Sequence, residues 1–167
     1  MSSRATRKVA MLMGGLSAER EVSLVSGREC AAALRGEGFE VIELDAGADL
    51  AQRLKDLRPD VAFNALHGRW GEDGVVQGVL EWLKIPYTHS GVLASALGMD
   101  KQRSKKAFVE AGLPVVDSKI VAKSDAASQF LLPAPYVIKP NNEGSSVGIY
   151  FVQDSANVLP DLGDDLP

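Results

Sequence analysis

Residues 9–24, VAMLMGGLSAEREVSL, constrain the fold of this chain more than any other stretch. Residues 9–13 form a nearly continuous apolar run, which is typical of a short strand buried on both faces. Gly14 and Gly15 follow the run and allow the chain to leave the strand sharply, with room for a ligand close to the backbone. The stretch therefore predicts a buried strand, a glycine turn and the start of a helix.

Two polar side chains stand where this helix is predicted to begin. Ser17 is expected to be the N-cap, which places Glu19 in or near the first helical turn. The helix dipole stabilises a carboxylate there, so we expect Glu19 to stay ionised and to be able to hold the ammonium group of a ligand. The simpler explanation is that the glycines only turn the chain and Glu19 only caps the helix, and this stretch alone favours it.

The composition limits what the rest of the chain can be. With 167 residues, of which 46% are hydrophobic, the chain can bury a sizeable core, in one domain or in one domain and part of another. A formal charge of −4 gives no electrostatic footprint for nucleic acid. One cysteine, Cys30, excludes an internal disulfide, and no apolar run approaches the roughly 20 residues of a membrane helix. We therefore expect a cytoplasmic protein that binds neither nucleic acid nor membranes.

Apolar periodicity predicts alternating strands and helices through residue 88. The predicted strands are residues 9–13, 39–44, 61–66 and 85–88, and the predicted helices are residues 19–35, 50–57 and 76–83. This order is typical of a doubly wound parallel sheet with helices on both faces. Ligands bind beyond the carboxyl ends of such strands, so the Gly14–Gly15 turn and the loop at residues 67–74 form the expected site.

The pattern changes near residues 97–100, which predicts a boundary between domains at residues 1–98 and 99–167. The second domain is expected to begin with a helix that carries a cluster of positive charge. The elements predicted from there on are a helix at 92–111, a strand at 115–121, a helix at 124–131 and strands at 136–139 and 148–152. Residues 154–167 are acidic and show no clear period.

Residues 136–150, YVIKPNNEGSSVGIY, form a second informative stretch, in which a strand ends at Lys139 and a loop of small residues follows. Such a loop lets several backbone N–H groups point at one anion, and Lys139 would add positive charge near bound phosphates. The lysine precedes the glycines, whereas in a Walker A loop it follows them, and Gly14–Gly15 is not a G-x-G-x-x-G fingerprint. A β-hairpin in which the lysine prevents the exposed strand edge from pairing with another chain explains the same residues equally well.

Four more polar residues are candidates for a chemical role. His67 follows a predicted strand and could orient a carboxylate or relay a proton, or it could cap the next helix or bond its own loop. Glu72 and Asp73 could be metal ligands, although their position before a helix favours capping. Lys101 stands in DKQRSKK, a pattern most often found on a solvated helix face.

Four stretches together resemble the D-alanine–D-alanine ligases, which are members of the ATP-grasp superfamily. They are GGLSAEREVSL at residues 14–24, ALHGRWGEDG at 65–74, YTHSGVLASALGMDKQRSK at 87–105 and IKPNNEGSSVG at 138–148. They occur in the family's order and at its spacing. The resemblance covers the N-terminal half of the family's sequence, and it implies a doubly wound parallel α/β domain followed by an incomplete ATP-grasp α+β lobe.

The resemblance implies an ATP-dependent ligase that joins two D-alanines for peptidoglycan precursors, with Mg²⁺ or Mn²⁺ as cofactor. In this family the carboxylate of one D-alanine attacks the γ-phosphate of ATP and becomes an acyl phosphate. The amine of a second D-alanine then attacks the carbonyl carbon, and phosphate leaves. Positioning and electrostatics dominate such phosphoryl transfers. A homodimer is the oligomeric state that the family implies.

The resemblance also assigns roles to residues, position by position. Glu19 matches the acid that binds the ammonium group of the first D-alanine, and His67 matches a histidine near the same substrate. Ser145 matches a loop serine in a hydrogen-bonded network with Glu19, so Glu19 and Ser145 are the expected catalytic residues and all three are expected to bind substrate. The positions that match ATP-binding residues are Lys101, Lys139, Glu143, Gly144, Ser146 and Val147.

The chain also departs from the family's pattern. Family members are about twice as long, and their second half would carry the metal ligands, the adenine contacts and most of the second D-alanine site. No metal ligand is therefore expected among residues 1–167. Asn141 and Asn142 stand where many relatives carry a smaller or basic residue. The alternatives are a catalytically silent fragment that binds only substrate or nucleotide, and a related ligase whose acceptor is D-lactate or D-serine.

Overall fold

The computed structural model describes residues 6–144, 148–154, 156 and 158–163. The chain divides into two compact units, Met1–Gly98 and Met99–Pro167. That these units are separate functional domains stays a prediction. Across the described residues, no helix is long and apolar enough to cross a membrane.

The first unit is built on a parallel sheet with β1 in its centre. The strands are β1 (Lys8–Met13), β2 (Glu40–Asp45) and β3 (Val61–Asn64), in the order β2–β1–β3. Both neighbours run parallel to β1, and Val9 is in register with Val41 on one side and Val61 on the other. Every β1 residue after Lys8 is buried, as expected for a strand covered on both faces.

Helices cover both faces of this sheet, which confirms the predicted doubly wound arrangement. One face packs on α1 (Arg20–Gly36), and the other packs on α2 (Leu50–Leu57) and α3 (Val75–Trp82). Pro59 stops α2 as predicted, because Arg58 before it adopts a left-handed conformation. A fourth helix, α4 (Val92–Met99), follows the sheet.

The predicted strand at residues 85–88 is wrong as a regular strand. The chain makes one isolated parallel bridge between Ala62 and Tyr87, with hydrogen bonds from Ala62 N to Pro86 O and from Thr88 N to Ala62 O. At the next position the ladder is interrupted, because Asn64 N donates to the Thr88 hydroxyl and not to a backbone carbonyl. The chain then turns at His89, whose φ is 78°.

The second unit contains α5 (Lys101–Glu110), α6 (Lys123–Ser128), β4 (Tyr136–Ile138) and β5 (Tyr150–Val152). The two strands pair antiparallel, with Val137 opposite Phe151. Ala126 and Leu162 are buried at the centre of its apolar cluster, and the half-buried Leu131, Ile138 and Tyr150 pack against them.

Three predictions for this region are wrong in detail. The single helix predicted at residues 92–111 is two helices, because Asp100 is extended and its carboxylate accepts a hydrogen bond from Arg103 N to begin α5. The strand predicted at 115–121 is irregular chain, and the Val116 carbonyl accepts from Lys105 Nζ and not from a neighbouring strand. The helix predicted at 124–131 ends at Ser128, since Gln129 is extended.

Gly27 allows α1 to lie close to β1. A Cβ atom at this position would stand 2.5 Å from Met13 Cβ and 2.7 Å from Met13 Sδ, which is closer than non-bonded atoms approach. Both residues are buried, so the neighbouring side chains have little room to yield.

We expect Gly27→Ala to destabilise the first unit by about 1–3 kcal/mol, because the added methyl group overpacks the contact with Met13. Urea unfolding followed by tryptophan fluorescence measures this, since both tryptophans, Trp70 and Trp82, lie in the first unit. Gly78→Ala in α3 is the matched control, because nothing lies within 4 Å of its Cβ position. The control should be neutral or gain up to about 1 kcal/mol from helix propensity. Equal effects of the two substitutions would contradict the packing argument.

Candidate functional site

An ion pair fixes the turn that leaves β1. Arg20 donates to both carboxylate oxygens of Asp45 at the end of β2, over 2.6 Å from Nη1 and 2.5 Å from Nη2. The same pair closes around the glycine turn, since Gly15 N donates to Asp45 and Arg20 Nη1 donates to Gly15 O. Gly14 and Gly15 have φ values of 72° and 82°, a region that disfavours other residues. The hydrogen bond from Arg20 lowers the pKa of Asp45 to about 2.

Ser17 lies at this turn but does not cap α1, so the predicted N-cap is wrong. The helix begins at Arg20, with Glu19 in the N-cap position and no side-chain cap. The turn before it is closed by a hydrogen bond from Arg20 N to Ser17 O, which shifts the helix start by two residues. The Ser17 hydroxyl accepts from Glu19 N and donates to His67 O over 2.9 Å. Ser17 therefore connects the start of α1 to the loop after β3.

The carboxylate of Glu19 is buried at the edge of the sheet. Glu19 is 8% exposed, and no described residue forms a hydrogen bond with its Oε2 atom. The carboxylate lies against Gly68, where a Cβ atom would stand 3.3 Å from Glu19 Cδ and Oε1. A buried carboxylate oxygen without a partner is energetically unfavourable and favours binding of a cationic group.

His67 and Glu72 lie beside this carboxylate. One donor atom from each of Glu19, His67 and Glu72 lies within 4.8 Å of the other two. His67 Nε2 is 3.3 Å from the Ser26 hydroxyl on α1, and His67 Nδ1 is 3.9 Å from Glu72 Oε1.

The two acidic residues of this loop differ from each other in their contacts. Asp73 accepts from Trp70 N and from Val75 N, the first residue of α3, but the N-cap of this helix is Gly74 and no side chain caps it. Glu72 does not contact that helix start, and its Oε2 accepts from Gly68 N over 2.7 Å. The predicted capping role is therefore wrong for Glu72, which stabilises the turn beneath the Glu19 carboxylate.

Sequence reasoning missed three buried polar residues that position this loop. Ser23 on α1 donates its hydroxyl to Ala65 O over 2.7 Å. Asn64 Nδ2 and Gln77 Nε2 both donate to Gly71 O, over 2.9 and 2.8 Å. The available signal was a polar residue on an otherwise apolar face, as for Ser23, which is buried on α1 together with Gly27 and Ala31, but periodicity does not reveal the partner carbonyl.

A cavity of about 280 Å³ opens beside the glycine turn. Its walls are mostly small or apolar side chains, and His67 contributes to them whereas Glu19 does not. The cavity and the carboxylate are neighbouring features rather than one pocket.

The second unit contains a separate cluster around Lys101. Lys101 Nζ donates to the carbonyls of Asn141, over 3.2 Å, and Glu143, and Gln102 N donates to Asn141 Oδ1 over 3.0 Å. Burial lowers the pKa of Lys101, the charge of Lys139 lowers it further, and Glu143 and Asp100 oppose this shift. Asn141 thus connects the start of α5 to the loop after β4, a role that the sequence did not suggest.

A cavity of about 780 Å³ in this unit is lined by lysines and by β4. The lysines are Lys101, Lys105, Lys119, Lys123 and Lys139. Glu143 and Gly144 precede the rest of the predicted phosphate loop, and the predicted site residues Ser145, Ser146 and Val147 lie outside the described residues. Such a wall suits a polyanion.

The described wall of this cavity does not form a magnesium site. Mg²⁺ prefers oxygen ligands, usually one or two carboxylates together with phosphates and water. Among the cavity-lining residues that the structure describes, Asp117 is the one carboxylate, and it stands among five lysines. The donor set therefore suits phosphate groups and not the cation itself.

The fold and these sites define an α/β protein with a polar site at the carboxyl edge of a parallel sheet and, in a second unit, a lysine-lined cavity. Residues 43–90 match the family model described as D-ala D-ala ligase N-terminus. Over all 167 residues the chain is 68% identical to a D-alanine–D-alanine ligase of Dinoroseobacter shibae, of which it covers 54%. It is 69% identical over 160 residues to one from a Ruegeria species, of which it covers 52%.

Solved structures agree with these sequence matches. The crystal structure of a D-alanine–D-alanine ligase from Bacillus anthracis superposes with a TM-score of 0.75 at 38% identity, over 90% of this chain and 50% of that one. The structure of that organism's ligase complexed with ATP gives 0.73 at 37% identity, over 91% and 50%. The chain spans about half the length of the curated relatives it matches. The resemblance is confirmed: the chain corresponds in sequence and fold to the N-terminal half of the D-alanine–D-alanine ligases.

We expect the Arg20–Asp45 pair to make stability depend on pH in the acid range. Because folding lowers the pKa of Asp45 from 3.8 to about 2, the unfolded chain binds this proton first as the pH falls. The stabilisation is complete above pH 3.8 and is lost as the pH falls to about 2. Asp45→Asn should therefore destabilise the first unit above this window, and the difference from the unsubstituted chain should vanish below it.

Urea unfolding followed by tryptophan fluorescence at a series of pH values measures this difference. Asp49→Asn is the control, since Asp49 begins α2 without a side-chain hydrogen bond to the helix. The effect is small because solvent screens a pair whose side chains are 42% and 47% exposed. A difference for Asp45→Asn that is constant across the window would contradict the assignment.

Proposed function

We propose that this chain provides the first-substrate site and part of the nucleotide site of an ATP-dependent ligase that joins two D-alanines for peptidoglycan precursors. The relatives are named D-alanine–D-alanine ligase, and one similar structure is complexed with ATP. The reaction is an acyl-phosphate mechanism, in which the carboxylate of the first D-alanine takes the γ-phosphoryl group. Homodimerisation and a cytoplasmic location stay predictions.

The observation that carries the proposal is the buried Glu19 carboxylate, whose Oε2 atom has no hydrogen-bond partner within residues 6–144, 148–154, 156 and 158–163. An α-ammonium group supplies a full positive charge and three N–H donors, so it matches this oxygen better than a water molecule does. The adjacent His67 ring adds a second polar group for the same small substrate. Binding of the ammonium group leaves the substrate carboxylate free to react.

The lysine cluster of the second unit is proposed to bind the ATP phosphates. Lys101 is already oriented by two loop carbonyls, so its charge needs little reorganisation when phosphates bind. Lys139 adds a second charge at the end of β4. Ser145 is proposed to join the hydrogen-bonded network of Glu19, and Ser146, Val147 and the loop around them are proposed to cover the phosphates and keep water from the acyl phosphate.

A binding role without turnover is the second candidate. The observation that favours it is the single carboxylate, Asp117, in the described wall of the lysine-lined cavity. Phosphoryl transfer from ATP normally needs a metal ion held in part by carboxylates. The choice of acceptor among D-alanine, D-serine and D-lactate is a further open point of the proposed function.

We expect the chain to bind D-alanine in preference to L-alanine, and Glu19→Gln to weaken D-alanine binding by about tenfold to a hundredfold. The reason is the loss of a charge-assisted hydrogen bond, about 1.5–3 kcal/mol. NMR titration of the backbone amides of the first unit measures this. Glu21→Gln is the matched control, because Glu21 is exposed in the same helical turn. Unchanged affinity in Glu19→Gln would rule out the ammonium contact.

Phosphate release by the same chain with ATP and Mg²⁺ extends this test from binding to turnover. D-alanine and L-alanine are compared at equal concentration, and Glu19→Gln serves as the background. Release that depends on D-alanine supports the ligase function. Binding of both substrates without release supports the binding role alone.

We expect Lys101→Met and Lys139→Met each to weaken ATP binding by about tenfold or more, because each removes a charge from the phosphate site. Lys139→Met tests the charge without removing the hydrogen bonds that Lys101 donates to the loop. Isothermal titration calorimetry with ATP gives the affinities. Lys106→Met on the exposed side of α5 is the control, and a loss of the same size there would mean that only overall charge matters.

A further inference from the structure

Three side chains from separate segments of the first unit meet at one point. Glu19 precedes α1, His67 lies in the loop after β3, and Glu72 lies in the turn before α3. Each contributes a donor atom that lies within 4.8 Å of the other two. The set comprises one imidazole nitrogen and two carboxylate oxygens.

The strongest sign that this point takes a cation is the state of Glu19. The residue is more than nine-tenths buried, and among the described residues its Oε2 atom has no hydrogen-bond partner. The absence of a side chain at Gly68 lets the carboxylate approach the loop. A buried carboxylate oxygen is stabilised by a hydrogen bond, an ion pair or coordination of a metal, and the described part of the chain supplies none of these to Oε2.

The other two side chains are already oriented. Glu72 Oε2 accepts from Gly68 N over 2.7 Å, and Glu72 Oε1 lies 3.9 Å from His67 Nδ1. On the other side of the ring, His67 Nε2 lies 3.3 Å from the Ser26 hydroxyl. A metal-binding histidine typically has its second ring nitrogen hydrogen-bonded in this way, which fixes the orientation of the ring.

The donor set and its spacing select the kind of cation. Zn²⁺ binds imidazole and carboxylate at roughly 2.0–2.2 Å, so neighbouring donors in a tetrahedral site are about 3.4 Å apart. The distance of 3.9 Å between His67 Nδ1 and Glu72 Oε1 must shorten by about half an ångström to reach this value, and the other donor pairs, which lie within 4.8 Å, by up to about 1.4 Å. Mg²⁺ and Ca²⁺ favour sites made only of oxygen ligands, whereas imidazole favours zinc and similar transition metals.

We propose that Glu19, His67 and Glu72 bind one divalent cation of the zinc type, and that this cation excludes the ammonium group of the amino-acid substrate. Both ligands use the Glu19 carboxylate, which cannot serve an ammonium group and a metal ion at the same time. The exclusion rests on the proposed function, whereas the metal site does not. Free zinc would thus act as a competitive inhibitor at the substrate site.

Titration of the full chain with Co²⁺, a spectroscopic substitute for zinc, tests the metal site. We expect visible absorption bands of a four- or five-coordinate site in the unsubstituted chain. Glu72→Gln and His67→Gln should weaken Co²⁺ binding by about tenfold to a hundredfold or more. Glu21→Gln is the matched control and should bind as the unsubstituted chain does.

Two features keep this test interpretable. In Glu72→Gln the side-chain carbonyl can still accept from Gly68 N, so the loop is expected to stay folded, and circular dichroism checks this. A sulfur-to-cobalt charge-transfer band would mean that Cys30 is the ligand, and it would overturn the proposal. Unchanged Co²⁺ affinity in both the Glu72 and His67 variants would overturn it as well.

Competition with alanine tests the exclusion. D-alanine and L-alanine chelate metal ions equally in free solution, so L-alanine controls for chelation. If Co²⁺ binds the chain more weakly in the presence of D-alanine than in the presence of the same concentration of L-alanine, the exclusion is supported. Equal Co²⁺ affinity in the two solutions overturns it. If the chain binds Co²⁺ through the three residues but binds no D-alanine, the metal site stands and the proposed substrate site fails. If the chain binds D-alanine but no Co²⁺, the proposed substrate site stands and the metal site fails.

Discussion

The pairing of β1 between two parallel neighbours decides where polar chemistry can be placed in the first unit. Because β2 and β3 run in the same direction as β1, all three strands end at one edge of the sheet. The central strand carries no polar side chain from Val9 to Met13, and Asp45 and Asn64, which end the two outer strands, stand at the carboxyl edge, where ligands bind in such sheets.

At that edge, two carboxylates of the same formal charge have different environments. Asp45 is about half exposed and is neutralised by a bidentate pair with Arg20. Glu19 is the residue next to Arg20 in sequence, but it is buried and its Oε2 atom has no hydrogen-bond partner in the described part of the chain. The guanidinium of Arg20, the nearest cationic group in sequence, bonds Asp45 and not Glu19. The Glu19 side chain is therefore left to a ligand.

The sequence predicted those parts of the structure that depend on local periodicity and chain reversal. The central strand, the three covering helices and the glycine turn are confirmed, because each depends on residues a few positions apart. The prediction of a strand at 115–121 is wrong because a strand depends on a partner that is distant in sequence. Its β-branched residues suit a strand, but a strand needs a partner edge, and the Val116 carbonyl bonds a lysine of α5.

In the candidate site too, features that depend on nearby residues could be predicted, and contacts with distant segments could not. Glu19 and His67 could be chosen from the sequence, since both follow predicted buried strands. The roles of Ser23, Asn64, Gln77 and Asn141 could not, because each donates to or accepts from a backbone group of a different segment. The predicted N-cap, Ser17, lies two residues before the observed N-cap, Glu19. The exact start of a helix depends on one turn hydrogen bond that the sequence does not specify.

Positions in the loop after β3 tolerate substitution to different degrees, because the backbone at Gly68 is left-handed and the Glu19 carboxylate lies against it. At Gly68 the φ of 66° and the nearby carboxylate both oppose any side chain. Arg69 and Trp70 beside it are exposed and stack on each other, with the guanidinium 4.6 Å from the ring centroid. Trp70 also has a left-handed φ, of 72°, so Arg69 is the position where substitution changes the outer surface most freely while the floor beneath the carboxylate stays glycine.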